Sequence, residues 1–294
     1  MPSVISSLIK AQISLLNPLF NGLDLEQQRK LQDGLASLGS RAAANKTAAY
    51  KADLETCDAS WVFPLQGQVS KAILYLHGGG YVSGTLEHAQ GFGSMLALET
   101  GRAVLCLGYR LAPEHPYPAA LEDALAAYRL MLTRYQPGEI SFVGESAGGG
   151  LCFTLALKLK EQRLPQPHKI AAMSPWVDLK QSLEACRLMG RDPVLSCEGI
   201  SKAAEYYLAG HDAQDPLVSP LFGELSGLPD TLMITGGDEI LLPENEEMLA
   251  RLLKAGVKAR LYVEEGMWHV YPLYPVPEAR AAQAMLRDYL DERL

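Results

Sequence analysis

Ser146 and His269 are the two residues of this 294-residue chain best placed to share a proton. Ser146 sits in Gly144-Glu145-Ser146-Ala147-Gly148, between the apolar strand-like run 140–143 and the helix-like run 147–160. Gly-x-Ser-x-Gly between a strand and a helix is the sharp turn that lifts a serine above a sheet. A serine hydroxyl is a weak nucleophile until a neighbouring base takes its proton. His269 follows the late strand-like run 260–263, where an imidazole can take that proton and pass it to a leaving group. Asp238 follows the strand-like run 231–235 and the Gly236-Gly237 turn, and is expected to hold the imidazole in one tautomer and stabilise its charged form. Glu239 is its nearest rival; Asp230 precedes the strand and is the weaker alternative. Upstream, His77-Gly78-Gly79-Gly80 ends another strand. Its amides Gly78 and Gly79, with the Ala147 amide, are expected to form the pocket for a developing oxyanion. A plain flexible turn is the other reading of these glycines, and a helix cap is the other reading of Ser146.

These residues need a scaffold, and the chain alternates accordingly. Strand-like runs at 71–76, 103–107, 140–143, 170–173, 231–235 and 260–263 are separated by helix-like runs at 87–100, 119–135, 147–160 and 244–255. A last helix is expected over 278–293. This rhythm predicts a mostly parallel sheet flanked by helices on both faces. Two regions break it. Residues 1–50 show helical spacing, with Ile5, Ile9, Ile13 and Leu16 in series, a second helix over 23–38, and no strand signal. Residues 179–229 are punctuated by Asp192-Pro193, Asp215-Pro216, Ser219-Pro220 and Leu228-Pro229. The expected division is N-terminal cap helices 1–50, a first core part 51–178, a cap insertion 179–229 and a second core part 230–294. Both cap segments are expected to cover the ends of the strands and to set substrate size.

Composition is that of an ordinary globule, with 48% apolar and 20% charged residues. A formal charge of −8 argues against a polyanionic partner, and no basic, aromatic stretch suggests nucleic-acid binding. Apolar runs stay short of the about 20 residues a membrane span needs, so no stable membrane insertion is expected. No secretory signal is recognisable at the N-terminus. The five cysteines are scattered and unpaired with histidines at metal spacing. A cytoplasmic protein with reduced thiols, no metal and no organic cofactor is the expectation.

The combined motifs resemble the hormone-sensitive-lipase-like family of α/β-hydrolases. They are His77-Gly78-Gly79-Gly80-Tyr81-Val82-Ser83-Gly84, Tyr109-Arg110-Leu111-Ala112-Pro113-Glu114, Gly144-Glu145-Ser146-Ala147-Gly148-Gly149 and Gly266-Met267-Trp268-His269. The order serine, acid, histidine fits that fold. The resemblance implies a hydrolase core with a helical cap, a triad Ser146, Asp238 and His269, and His77 as support of the oxyanion loop. It implies serine carboxylesterase activity on small or short-acyl esters through an acyl-enzyme. Two departures stand out. Glu145 replaces the aspartate common before the serine. The acid motif, usually Asp-Pro-Leu-x-Asp, reads Asp238-Glu239-Ile240-Leu241-Leu242. Ser174-Pro175-Trp176-Val177-Asp178-Leu179 also resembles lactone-opening relatives, so a small apolar ester or a lactone is the expected substrate. Trp176, Trp268 and Val270 are candidate pocket residues. Amide hydrolysis, a non-catalytic ligand-binding relative and an interaction protein remain as alternatives, and the family leaves a homodimer open.

Overall fold

The computed structural model describes residues 2–31, 46–180 and 192–294. Among these residues eight strands are present: β1 (Thr47–Lys51), β2 (Asp58–Pro64), β3 (Ala72–Leu76), β4 (Ala103–Gly108), β5 (Ile140–Glu145), β6 (Lys169–Met173), β7 (Asp230–Gly236) and β8 (Ala259–Glu264). They form one sheet in the order β1-β2-β4-β3-β5-β6-β7-β8. β2 runs antiparallel to both β1 and β4, and the remaining pairs are parallel. The sequence Ala72-Ile73-Leu74-Tyr75-Leu76 is buried at every position, as a central parallel strand covered on both faces must be. Alternate side chains feed two cores. Leu74 and Leu76 pack with Leu121, Leu151 and Phe153, while Ile73 and Tyr75 pack with Leu96, Trp268 and Leu286. Helices Ala119–Leu132 and Ala147–Glu161 belong to the first layer, and Leu86–Thr100 and Pro277–Leu290 to the second.

All six expected strands are present, and the expected α/β architecture holds. β1 and β2 were not expected. β1 is an edge strand whose last three residues are exposed, so it carries no apolar signature. β2 opens on the exposed Asp58 and closes on Pro64. The segment 1–50 is therefore not wholly helical, because β1 starts at Thr47.

The N-terminal helix Val4–Asn21 turns only part of the apolar series to the core. Ile9 and Ile13 pack on the core, whereas Ile5, Leu16 and Leu19 are 52%, 59% and 72% exposed. Polar anchors set that rotation. Ser6 is fully buried, and its Oγ donates to Glu278 Oε2 at 2.5 Å. The second expected helix is present over 25–31; its remainder lies outside the described residues. In the central insertion the described residues hold helix Cys197–Leu208, capped by Ser196, followed by turns. No helix among the described residues is long and apolar enough to cross a membrane.

Candidate active site

The parallel register brings three strand ends together: Leu76 lies beside Gly144, and Glu145 beside Met173. At this edge the chain must pass from β5 into helix Ala147–Glu161 with no intervening loop. Ser146 absorbs the reversal with φ 54° and ψ −124°. A non-glycine residue in such a conformation costs about 1–3 kcal/mol and must be held from outside. Its amide donates to Met173 O at 2.9 Å, and its carbonyl accepts from Trp176 N at 2.9 Å. The helix then passes so close to β3 that a Cβ on Gly148 would stand 2.1 Å from Leu76 O. Only glycine fits there, which explains part of the sequence signature.

His269 reaches the serine as expected. Its Nε2 lies 2.9 Å from Ser146 Oγ, and the ring is almost fully buried. The carboxylate facing the other ring nitrogen is Glu239, with Oε1 3.7 Å from His269 Nδ1. Both atoms are buried, and among the described residues neither has a hydrogen-bond partner. That separation is an ion-pair distance beyond hydrogen-bond length, and such contacts tighten when substrate binds. Glu239 Oε2 is fixed by Ser174 Oγ at 2.6 Å and by Gly236 N at 2.9 Å. Ser174 Oγ also accepts from Val270 N at 3.0 Å, so one buried hydroxyl sets the acid and the base together.

Asp238 does not face the imidazole, contrary to expectation. Its amide donates to Met267 O at 2.9 Å, and its carboxylate pairs with Lys10 Nζ on the N-terminal helix. Consecutive residues of this turn point to opposite sides. The buried donors Ser174 Oγ and Gly236 N lie only on the Glu239 side.

The oxyanion loop needs a second correction. The Gly78 amide is already committed to Glu145 Oε1 at 2.6 Å. Among the described residues no acceptor takes the amides of Gly79, Gly80 or Ala147. The loop is pinned from two sides. Glu145, whose Oε2 accepts from Tyr75 Oη at 2.7 Å, holds it from the sheet. Burial pushes this carboxyl up to about 8, against the pull of its two donors. His77 holds it from within, with Nδ1 2.7 Å from the Gly78 carbonyl, which makes Nδ1 the protonated nitrogen. Burial pushes His77 down to about 3, so the ring stays neutral. It stacks on Tyr109 at 4.1 Å, and Tyr109 Oη donates to the His77 carbonyl at 2.7 Å. Gly84, at φ 106°, leaves room for it: a Cβ there would be 2.4 Å from the ring. The expected supporting role of His77 thus has a geometry.

Residues 73–273 match the sequence profile of the alpha/beta hydrolase fold family. This chain belongs to that family. An acetyl-hydrolase of Streptomyces hygroscopicus is 39% identical over 230 residues, 77% of each chain. Among solved structures, an esterase from the bacterial hormone-sensitive lipase family superposes with a TM-score of 0.91 at 32% identity, covering 100% of this chain and 99% of the other. A crystal of EstE5 soaked with p-nitrophenyl butyrate gives 0.89 at 33% identity, covering 99% of both. The branch of the α/β-hydrolase family that resembles hormone-sensitive lipase is therefore the one to which the motifs belong.

In this α/β-hydrolase a cavity of about 700 Å³ opens over Ser146 and His269. Helix Leu86–Thr100 supplies Phe92 and Met95 to one wall; Leu25 from the N-terminal segment and Leu195, Ile200 and Ala203 from the central insertion supply another. Trp176 and Val270 line it, as expected. Trp268 does not. It is fully buried in the second core, edge-on to Tyr274 at 5.3 Å. Phe92, Met95 and Ser174 had no distinguishing signal beyond an apolar helix and a strand end. Among the described residues no group of three His, Cys, Asp or Glu side chains is placed to hold a metal ion.

Proposed function

We propose that this α/β-hydrolase is a serine carboxylesterase that cleaves small, short-acyl esters through an acyl-enzyme on Ser146. Esterase activity is the class its family relatives carry in their names. The observation that carries the finer reading is the 2.9 Å contact between Ser146 Oγ and His269 Nε2 at the floor of the cavity. Ser146 Oγ attacks the ester carbonyl as His269 takes its proton. Glu239 steadies the resulting imidazolium. The carbonyl oxygen becomes an anion in front of the Gly79, Gly80 and Ala147 amides. His269 then gives its proton to the departing alkoxide, and the alcohol leaves. In the second half His269 draws a proton from water as it attacks the acyl carbonyl, then returns that proton to Ser146 Oγ as the acid leaves.

The test is hydrolysis of p-nitrophenyl butyrate together with labelling by a phosphonate or sulfonyl fluoride serine reagent. Mass spectrometry should place the label on Ser146, and Ser146→Ala should lose at least about 10⁴-fold in kcat. Label on another serine, or turnover surviving in the variant, overturns the assignment. The same residues would open a cyclic ester, so a lactone panel assayed beside acyl esters ranks the two substrate shapes.

A further inference from the structure

A second carboxylate is bonded to the loop that carries Glu239. Asp192, partly buried, lies in the central insertion just before helix Cys197–Leu208. Its Oδ1 accepts from the amides of Val194 at 2.9 Å and Leu195 at 3.3 Å. Its Oδ2 accepts from Ile240 N at 3.2 Å, the residue directly after Glu239. Two of these bonds shape a local turn. The third ties the insertion to the acid loop, 48 residues away. Both partners carry cavity wall: Val194 and Leu195 on one side of the bond, Leu241 on the other.

We propose that Asp192 is a positioning residue: from the cap it holds the Glu239–Ile240 turn so that Glu239 stays aimed at His269, and it sets a second negative charge behind the imidazole. The proposal rests on the ester-hydrolase reading of Ser146, His269 and Glu239. Three N–H donors favour the ionised carboxylate. Burial and the charge on Glu239 push Asp192 up, and His269 pulls it down, so the charges of both residues reach it. Ser146 from the elbow and Glu239 from the acid loop face His269, and the charge of Asp192 reaches it from the insertion. Tyr274, on the segment after His269, also feels Asp192 but is pushed up to about 12 mainly by burial and stays neutral. Glu198 and Lys202 reach the cavity from the insertion's helix. A residue that merely closed the Val194–Leu195 turn would leave the imidazole untouched.

Asp192→Asn in the full-length protein separates these roles. Its amide can still accept in the turn but cannot present two acceptor oxygens or a charge. The ring signals of His269 are titrated by NMR, and kcat/KM for p-nitrophenyl butyrate is followed against pH. Removing an anion destabilises imidazolium. The His269 midpoint and the acid limb of the rate profile should therefore both move to lower pH, by about 0.5–1 unit. kcat should fall about tenfold with KM within about twofold, the signature of an interaction made in the transition state. Asp192→Glu, which restores charge without the same reach, should recover the midpoint more than kcat. An unmoved midpoint in folded Asp192→Asn overturns the proposal. Asp192→Ser carries the same decision should the Asn variant not fold, and failure of both to fold assigns Asp192 a purely structural role, which also overturns it. The NMR midpoint does not depend on turnover. A shifted midpoint in a protein whose wild type cleaves no ester would reject the esterase reading alone, and an unmoved midpoint in an active enzyme would reject Asp192 alone.

Discussion

The nucleophile elbow at 144–150 and the acid loop at 236–240 both join a strand end to a helix, yet they are built on different principles. At the elbow the backbone is forced. A Cβ on Gly148 would run into Leu76 O, so only glycine fits there, and Ser146 sits beside it in a strained turn, so the sequence and the geometry coincide. In the acid loop the backbone offers two adjacent carboxylates, Asp238 and Glu239, and the choice between them falls to their surroundings. Ser174 Oγ and the Gly236 amide wait on the inner side, Lys10 on the outer. Steric exclusion writes itself into a motif; side-chain direction on a short turn does not.

That contrast is broken most directly by exchanging the two carboxylates' chemistry. Glu239→Gln keeps the shape but removes the charge that steadies the imidazolium. A comparable replacement in another serine triad costs about 10⁴-fold in kcat, and a loss of about 10³-fold or more is expected here. Asp238→Asn should stay within about threefold, as for a residue whose partner is on the protein's outer face. Steady-state kinetics on both variants decides the matter: the reverse pattern returns the acid role to Asp238 and makes the 3.7 Å contact of Glu239 incidental.

The same distinction marks how much was legible beforehand. Ser146, His269, the supporting His77 and all six expected strands follow from apolar periodicity and from small residues at contact points, both local properties. What escaped depends on contacts between distant segments. Asp238 yields to Glu239 because Ser174, 65 residues away from Glu239, donates to it. Gly78 yields its place in the oxyanion pocket because Glu145 takes its amide from 67 residues away. The N-terminal helix turns Ile5 outward because Ser6 finds Glu278 across 272 residues. β1 was invisible because an exposed edge strand needs no apolar face.

Glu145 carries the elbow's steric order into electrostatics and gives a smaller, pH-dependent effect. Its carboxyl lies at about 8 in the folded protein, above its ordinary value of 4.5. A group that holds its proton more tightly when folded contributes stability that is fully present below the unfolded value and is lost as pH rises through the folded one. Glu145→Gln cannot ionise and keeps an acceptor for Gly78 or Tyr75. The melting temperature of the wild type should therefore fall relative to that of Glu145→Gln between pH 5 and pH 8. A constant difference across that range would mean that the donors Tyr75 and Gly78 already outweigh burial, and that Glu145 is ionised throughout.

The smallest effect expected is at Asp238, and it sharpens the comparison because it assigns that residue a different task. Lys10 Nζ pairs with the Asp238 carboxylate and also donates to Gly266 O at 3.1 Å, three residues before the base. The N-terminal helix is thereby clipped to the outer side of the loops that carry Glu239 and His269. The two side chains keep 24% and 16% of their exposure, so solvent screens the pair. Ion pairs of this kind contribute about 0.2–1 kcal/mol. A double-mutant cycle of Lys10→Met and Asp238→Asn, read from urea unfolding, should return a coupling energy in that range, with kcat nearly unchanged in every corner. A coupling near zero would remove the clip and leave the helix to the bonds of Ser3 and Ser6 with Glu278 and to the packing of Ile9 and Ile13. A coupling accompanied by a large loss of kcat in both single variants would mean that the outer face of the acid loop transmits its geometry to Glu239. The division between an outer carboxylate that holds the helix and an inner one that faces the imidazole would then no longer hold.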